Sequence, residues 1–232
     1  MDELPIRAAL GASVATILRK AILDGSLKPG EPLQETALAR QLSVSRSPIR
    51  EALILLERER LVVSHINRPT VVRRPSAEEI RQIYTIRSVL EGTAARWAAE
   101  KATPALVESL GANAEELNTA TIARKSNTDA RVVALAVDFH TSIAAAADCV
   151  ELTHLLESIC NQIKLVMTAG LASLQSRRAE EIHAEHLDII AAIAAHDGDR
   201  AEKLAIAHVR GALHRLIYLS DDELGASALA NH

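Results

Sequence analysis

A mainly α-helical chain in two parts, a short N-terminal region closed by a β-hairpin and a longer all-helical region, is predicted by three observations. Hydrophobic residues make up 48% of the 232 positions but aromatic ones only 2%, and a core of Ala, Leu and Ile favours close-packed helices over sheets. Two β-branched runs, LVVSH and TVVRR, lie on either side of an INRP corner. Just beyond them, Pro75 and Ser76 followed by Glu79 mark a boundary and the start of a long helical pattern.

The elements follow in order. Val14, Ile17, Leu18, Ala21 and Ile22 recur at helical spacing and predict a first helix over 8–24. DGSLKPGEPL, with Gly25, Pro29, Gly30 and Pro32, predicts a loop or turn. A short second helix starts at Glu35 or Thr36 and ends near Leu42. Ser45 is suited to cap a third helix, with Pro48 in its first turn, where a missing N–H costs little. LVVSH and TVVRR then form the hairpin. The Ser76/Glu79 pair opens a helix over about 77–101, and Thr103-Pro104 another to about 124. Asp129 starts one to about 147. Further helices are expected over 149–173, 177–196 and 199–219, the last two separated at Asp197-Gly198. The domains expected are 1–74, 75–222 and a flexible tail over 223–232.

Composition narrows the function classes. Charges interrupt every apolar run before it reaches membrane length, and MDELPIRAALG has no secretory signal pattern, so a cytoplasmic protein without a membrane partner is expected. Cys149 and Cys160 form neither a metal spacing nor a disulfide framework and read as buried helix thiols. Residues 1–74 hold 12 Lys/Arg against 8 Asp/Glu, the remainder 14 against 22. A basic module joined to an acidic one fits a nucleic-acid-facing part carried on a part with another task.

The segment LQETALARQLSVSRSPIREAL reads as helix, tight turn and helix. With the hairpin as a wing it makes a winged helix-turn-helix. Arg46 and Arg50 are four apart and leave one face of the third helix. Ser45 and Ser47 are small enough to let that helix enter a major groove, and their hydroxyls and the free N–H groups of its first turn suit phosphate oxygens. An arginine there can grip guanine O6 and N7 with two hydrogen bonds. Taken singly, either arginine could equally pair with Glu51 or Glu57 on a solvated helix.

The stretch AILDGSLKPGEPLQETALARQLSVSRSPIREALILLERERLV resembles the DNA-binding domain of the GntR family of bacterial transcription regulators, over about residues 8–74. The resemblance implies DNA contacts from Arg46 and Arg50, a backbone contact from Arg40 and a minor-groove approach by Arg68. Two positions depart from the family. Thr36 stands where an arginine is usual, and Pro69, after Arg68, stands where the wing tip usually has glycine.

Eight of the nine histidines follow residue 75. His186 lies within the stripe Ile182, Ile189, Ile190, Ile193, so it points inward. His140 follows Phe139 and lies one turn from Ala136, Ile143 and Ala144. His208 is one turn after Leu204. Three inward imidazoles on three helices can either converge on a transition metal or serve as core residues.

Residues 77–220 resemble the all-helical effector domain (FCD) of the FadR subfamily, of the six-helix type, through IRSVLEGTAARWAA, FHTSIAAAA, EHLDIIAAIAAHD and AIAHV. The resemblance implies a divalent metal, zinc or nickel foremost, held by His140, His186 and His208 and gripping a small organic acid. The family's aspartate, one turn before the first histidine, is Ala136 here. Asp138 is about 200° around the helix from His140 and should not share the metal. The expectation is therefore three histidines without that carboxylate, with His183 as a conceivable substitute. Arg87 could clamp the acid or pair with Glu91 four residues on.

The reading that follows is a homodimeric, ligand-responsive regulator of operator DNA, a repressor more often than an activator in that family. Two rivals are a regulator whose helical domain only dimerises and a metal-dependent enzyme. Against the enzyme, no general-base carboxylate accompanies the histidines, and GxSxG, HExxH and phosphate-loop motifs are absent from the chain.

Overall fold

The structure, a computed structural model, describes residues 3–123, 129–167 and 179–229. The chain divides into two units, Met1–Pro75 and Ser76–His232.

The first unit holds α1 (Glu3–Leu23), β1 (Pro32–Leu33), α2 (Glu35–Gln41), α3 (Arg46–Arg58), β2 (Val62–His65) and β3 (Arg68–Val72). Ile49, Ala52, Leu53 and Leu56 form the inward stripe of α3 and meet Val14, Ala15, Leu18 and Ile22 of α1, all buried. Ile17, expected in the inward set, is 50% exposed, and Ala15 takes its place. Positive φ at Ser43 tightens the turn between α2 and α3. Ser45 occupies the N-cap position of α3, but its side chain makes no capping bond, so the predicted cap is positional only.

Two corrections concern the sheet. The loop expected around Pro32 contributes β1, and the hairpin becomes a three-stranded antiparallel sheet in the order β1-β3-β2. Two paired residues, Pro32 with Val71 and Leu33 with Thr70, are too short a strand to leave a period. Pro69 is not the wing tip. It lies inside β3, and the tip is Ile66-Asn67, where Asn67 takes φ 58° and so adopts the left-handed turn a glycine would otherwise supply. Glu57 of α3 accepts from Ser64 N at 2.8 Å and from its hydroxyl at 3.1 Å, which ties the wing to α3 beside a bulge between Val63 and His65.

The second unit is built from α4 (Ala77–Glu100), α5 (Pro104–Ala123), α6 (Ala130–Ala146), α7 (Val150–Val166), α8 (Ala179–Ala194) and α9 (Gly198–Leu229). The capping box at α4 is formed: Ser76 Oγ accepts from Glu79 N at 3.2 Å and Glu79 Oε2 from Ser76 N at 2.8 Å. Thr103 caps α5 through Leu106 N, Asp129 caps α6 through Arg131 N, and Asp197 caps α9 through Arg200 N. The helix α9 continues to Leu229, past the end expected near 219 and into the segment expected as a tail. The predicted helix ends at 124 and 173 and the start at 177 lie outside the described residues, as do 230–232 of the tail. Cys160 is buried on α7, whereas Cys149 is half-buried at that helix's N-cap position rather than within a helix.

The helix α4 packs against α6, α7, α8 and α9. Its small residues Gly92, Ala94, Ala95, Ala98 and Ala99 are what permit such close approach. At Gly92 an added Cβ would lie 2.7 Å from Ile206 Cγ1 and 3.0 Å from its Cδ1. Gly92→Ala is therefore expected to destabilise this unit by about 1–3 kcal/mol through overpacking. A urea titration following Trp97, the single tryptophan, reads the effect. An unchanged midpoint would mean that α9 can shift without cost.

Candidate functional site

Two groups of residues stand out, one in each unit. In the first, Arg40, Ser45, Arg46, Ser47, Arg50 and Arg68 are all exposed. Arg46 and Arg50 leave the first turns of α3 side by side, as the i, i+4 spacing requires. Their partner is neither Glu51 nor Glu57 but Glu35, at the start of α2. One oxygen, Glu35 Oε2, accepts from Arg46 Nη2 at 2.8 Å, Arg46 Nε at 3.2 Å and Arg50 Nε at 2.8 Å. Burial would raise the Glu35 carboxyl, but the two arginines outweigh it and lower it. Ser47 Oγ lies 3.3 Å from Glu51 Oε1. From sequence Glu35 marks only a possible start of the second helix and not a partner of the arginines, because the pairing crosses the turn between two helices.

In the second unit, His140, His186 and His208 converge from α6, α8 and α9. All three are buried, and each offers a ring nitrogen within 4.8 Å of the others. His186 Nε2 and His208 Nε2 are 3.3 Å apart. The His186 ring stacks on Phe139 with centroids 4.1 Å apart, which fixes its plane. The outer nitrogens of the other two rings face carboxylates: His140 Nδ1 is 2.7 Å from Glu91 Oε2, and His208 Nδ1 is 2.6 Å from Glu185 Oε2. An ionised carboxylate only accepts, so each Nδ1 carries the hydrogen, and in a neutral ring this leaves the Nε2 lone pair for the centre.

Each of these carboxylates is anchored in turn by a guanidinium. Arg87 Nε donates to Glu91 Oε1 at 2.5 Å, and Arg215 grips Glu185 with Nη1–Oε1 at 2.9 Å and Nη2–Oε2 at 3.1 Å. Two Arg–Glu–His relays, Arg87–Glu91–His140 and Arg215–Glu185–His208, thus end at the same centre. Burial pushes Glu91 up, but Arg87 and then His140 outweigh it and hold its carboxyl at about 2. For Glu185 burial is likewise outweighed, by His208 and Arg215, and it too sits at about 2. Burial is the main cause that lowers His140, to about 4, with Glu91 opposing it. His186 is lowered well below its ordinary value, again chiefly by burial. A neutral His140 beside an ionised Glu91 is the protonation state that metal binding needs.

The histidines form part of the wall of a cavity of about 100 Å³, completed by Arg87, Arg215, Asn118, Thr121 and apolar side chains that include Tyr84, Leu117, Ile163 and Leu216. Ala136 also faces this cavity, whereas Asp138 is exposed on the opposite side of α6. Arg87 combines the two roles considered for it, since it pairs with Glu91 and lines the cavity. His183 lines the cavity too, with Nε2 3.1 Å from Glu115 Oε1, and its Nδ1 is buried without a hydrogen-bond partner. Glu91, Glu185 and Arg215 were not singled out as site residues from sequence. Glu185 directly precedes His186, a juxtaposition the sequence did show, but its histidine partner is on the next helix.

The donor set fits a divalent transition metal. Two imidazole nitrogens bound at about 2.0–2.1 Å in tetrahedral geometry lie about 3.3–3.4 Å apart, and His186 and His208 already meet that spacing. Carboxylates on the far ring nitrogens are the arrangement that orients histidine ligands and raises their basicity.

Comparison with known proteins follows the same division. Residues 10–72 match the family model described as bacterial regulatory proteins, gntR family, and residues 82–211 match the FCD domain. The chain is 30% identical over 191 residues to the HTH-type transcriptional regulator YdhC of Bacillus subtilis (strain 168), covering 82% of this chain and 84% of that protein. It is 29% identical over 194 residues to the HTH-type transcriptional repressor RspR of Escherichia coli (strain K12), covering 84% and 83%. Among solved structures, a GntR transcriptional regulator from Rhodococcus sp. RHA1 superposes with TM-score 0.75 at 27% identity, over 89% of this chain and 97% of that one. Escherichia coli McbR/YncC shares the fold with TM-score 0.76 at 21% identity, over 91% and 98%.

Proposed function

Because the chain belongs to the GntR family of bacterial regulatory proteins and carries an FCD domain, we propose that it is a repressor of the FadR subfamily whose DNA binding responds to a small organic acid held at a histidine-bound metal. That it is a DNA-binding transcription regulator and not an enzyme follows from the family and from its regulator relatives. No helix among the described residues is long and apolar enough to cross a membrane. The observation that carries the finer reading is the convergence of His140, His186 and His208 on the wall of an otherwise mainly apolar cavity.

A divalent ion bound there supplies a Lewis-acidic point that a carboxylate can occupy. The chain's own residues do the rest. Glu91 and Glu185 orient the imidazoles, Phe139 fixes the plane of His186, and Arg87 and Arg215 bring positive charge to the cavity wall. Ala136, in place of an aspartate, leaves a coordination position and its space to the acid. The acid acts on DNA only if it binds one state of the regulator better than the other. Two copies would present two α3 helices to a near-palindromic operator. Ile86 and Val89, adjacent on one face of α4 and 54% and 58% exposed, offer an apolar surface for the second copy.

The test loads the full chain with zinc or nickel and adds acetate, lactate or succinate. At least one acid is expected to raise the thermal midpoint and weaken DNA binding about 5–150-fold. By linkage, DNA should weaken that acid's binding by the same factor. If no acid changes either property of the metal-loaded chain, the effector reading fails and a helical domain that only dimerises takes its place.

A further inference from the structure

We propose that Glu35 sets the sequence selectivity of the DNA-reading face by holding Arg46 and Arg50 on a single carboxylate oxygen. Glu35 lies in the first turn of α2, where the helix dipole favours a negative charge, so it is well placed to act as the fixed member of the three. Its side chain is 29% exposed, whereas those of Arg46 and Arg50 are 55% and 59% exposed. The carboxylate is thus the rear anchor and the guanidiniums are the outward groups.

The bonds are unequal. Arg46 commits Nε and Nη2 to Glu35, while Arg50 commits only Nε. Arg50 can therefore stay anchored and still turn both terminal amino groups toward a base. That is the fork needed for guanine O6 and N7. Arg46 must give up a bond to Glu35 before it can do the same. Arg50 is the pre-oriented base reader, and Arg46 is free to reach DNA only at a cost to its pairing.

Selectivity follows from what happens on the wrong sequence. Without a guanine to grip, an arginine turns to the nearest phosphate, and that contact is where sequence-independent affinity comes from. Moving either guanidinium to a phosphate would leave Glu35 less neutralised beside the DNA backbone. The penalty falls on phosphate binding and spares a base contact made with Glu35 still engaged. Glu35 is a positioning residue by this account: it weakens indiscriminate binding and preserves the specific contact.

Glu35→Gln tests this in the full chain with two probes, a duplex enriched by the wild-type chain from a randomised pool and a scrambled duplex of the same composition. The variant is expected to bind the scrambled duplex about tenfold more tightly, with a salt slope steeper by about one. Its preference for the enriched duplex should fall about tenfold or more. In an Arg50→Ala background the same substitution should change the preference much less, because the pre-oriented reader is gone and only Arg46 remains on Glu35. Glu31→Gln removes the same charge from a turn where the Glu31 side chain accepts the Lys28 N–H. It should leave the preference alone. The proposal is overturned if Glu35→Gln keeps the preference within about twofold, if its effect is undiminished without Arg50, or if Glu31→Gln reproduces it. Unchanged circular dichroism and thermal midpoint in Glu35→Gln assign the effect to positioning rather than to folding.

Discussion

Arg87→Met is expected to destabilise the helical domain by about 3–5 kcal/mol, the range for removing one partner of a buried ion pair. Arg87 and Glu91 are 6% and 4% exposed, and they pair within one turn of α4. Methionine preserves most of the volume but leaves the Glu91 carboxylate without the cation that holds it ionised. His140 alone cannot replace that cation, because burial keeps its own ring neutral. Denaturation followed through Trp97 measures the loss. The diagnostic step is the double variant Arg87→Met/Glu91→Leu, which removes both charges and should be more stable than Arg87→Met alone. It will not recover fully, because His140 Nδ1 then has no acceptor, at a cost of about 1–3 kcal/mol. If the second substitution lowers stability further, the pair is not acting as a buried couple and the relay from Arg87 through Glu91 has no structural basis.

This couple also marks the limit of what the sequence disclosed. The i, i+4 spacing of Arg87 and Glu91 was legible because both lie on one helix and share a face. The capping box at Ser76 and Glu79 and the inward stripe of α3 were legible for the same reason: each is a local pattern with a period. The convergence of His140, His186 and His208 needed more, the apolar stripe around His186 together with the ordered FCD-like segments. The partners that make the histidines useful left no such trace. Glu185 and His208 are separated by 23 residues and meet only once α8 and α9 are packed. Glu35 and Arg50 are 15 residues apart and depend on the angle between α2 and α3. The wing tip was misplaced because glycine was sought there, whereas Asn67 adopts the left-handed conformation equally well for a single residue. β1 was missed because two residues carry no alternation.

The other large effect concerns the metal. His140→Ala, His186→Ala and His208→Ala are each expected to abolish stoichiometric zinc or nickel, measured by elemental analysis of chain never exposed to chelator. Glu91→Gln and Glu185→Gln should keep the three imidazoles and lower metal affinity about 10–100-fold, the usual cost of losing the group behind a histidine ligand. The distinction matters because of Ala136. In a site with a coordinating aspartate, part of the ion's charge is neutralised at the ion itself. Here the negative charge stands beyond the imidazole rings, on two glutamates that touch the far nitrogens of His140 and His208. Glutamine can still accept from Nδ1, so it preserves ring orientation while removing that charge. A large loss of affinity in a glutamine variant that keeps the helical domain folded therefore identifies charge, not orientation, as what that glutamate supplies. Full affinity in both, with metal lost in the histidine variants, would reassign Glu91 and Glu185 to holding Arg87 and Arg215 in the fold. Asp138→Ala is the matched control: it removes a carboxylate two residues from His140 that is exposed on the other side of α6, and it should leave metal content unchanged.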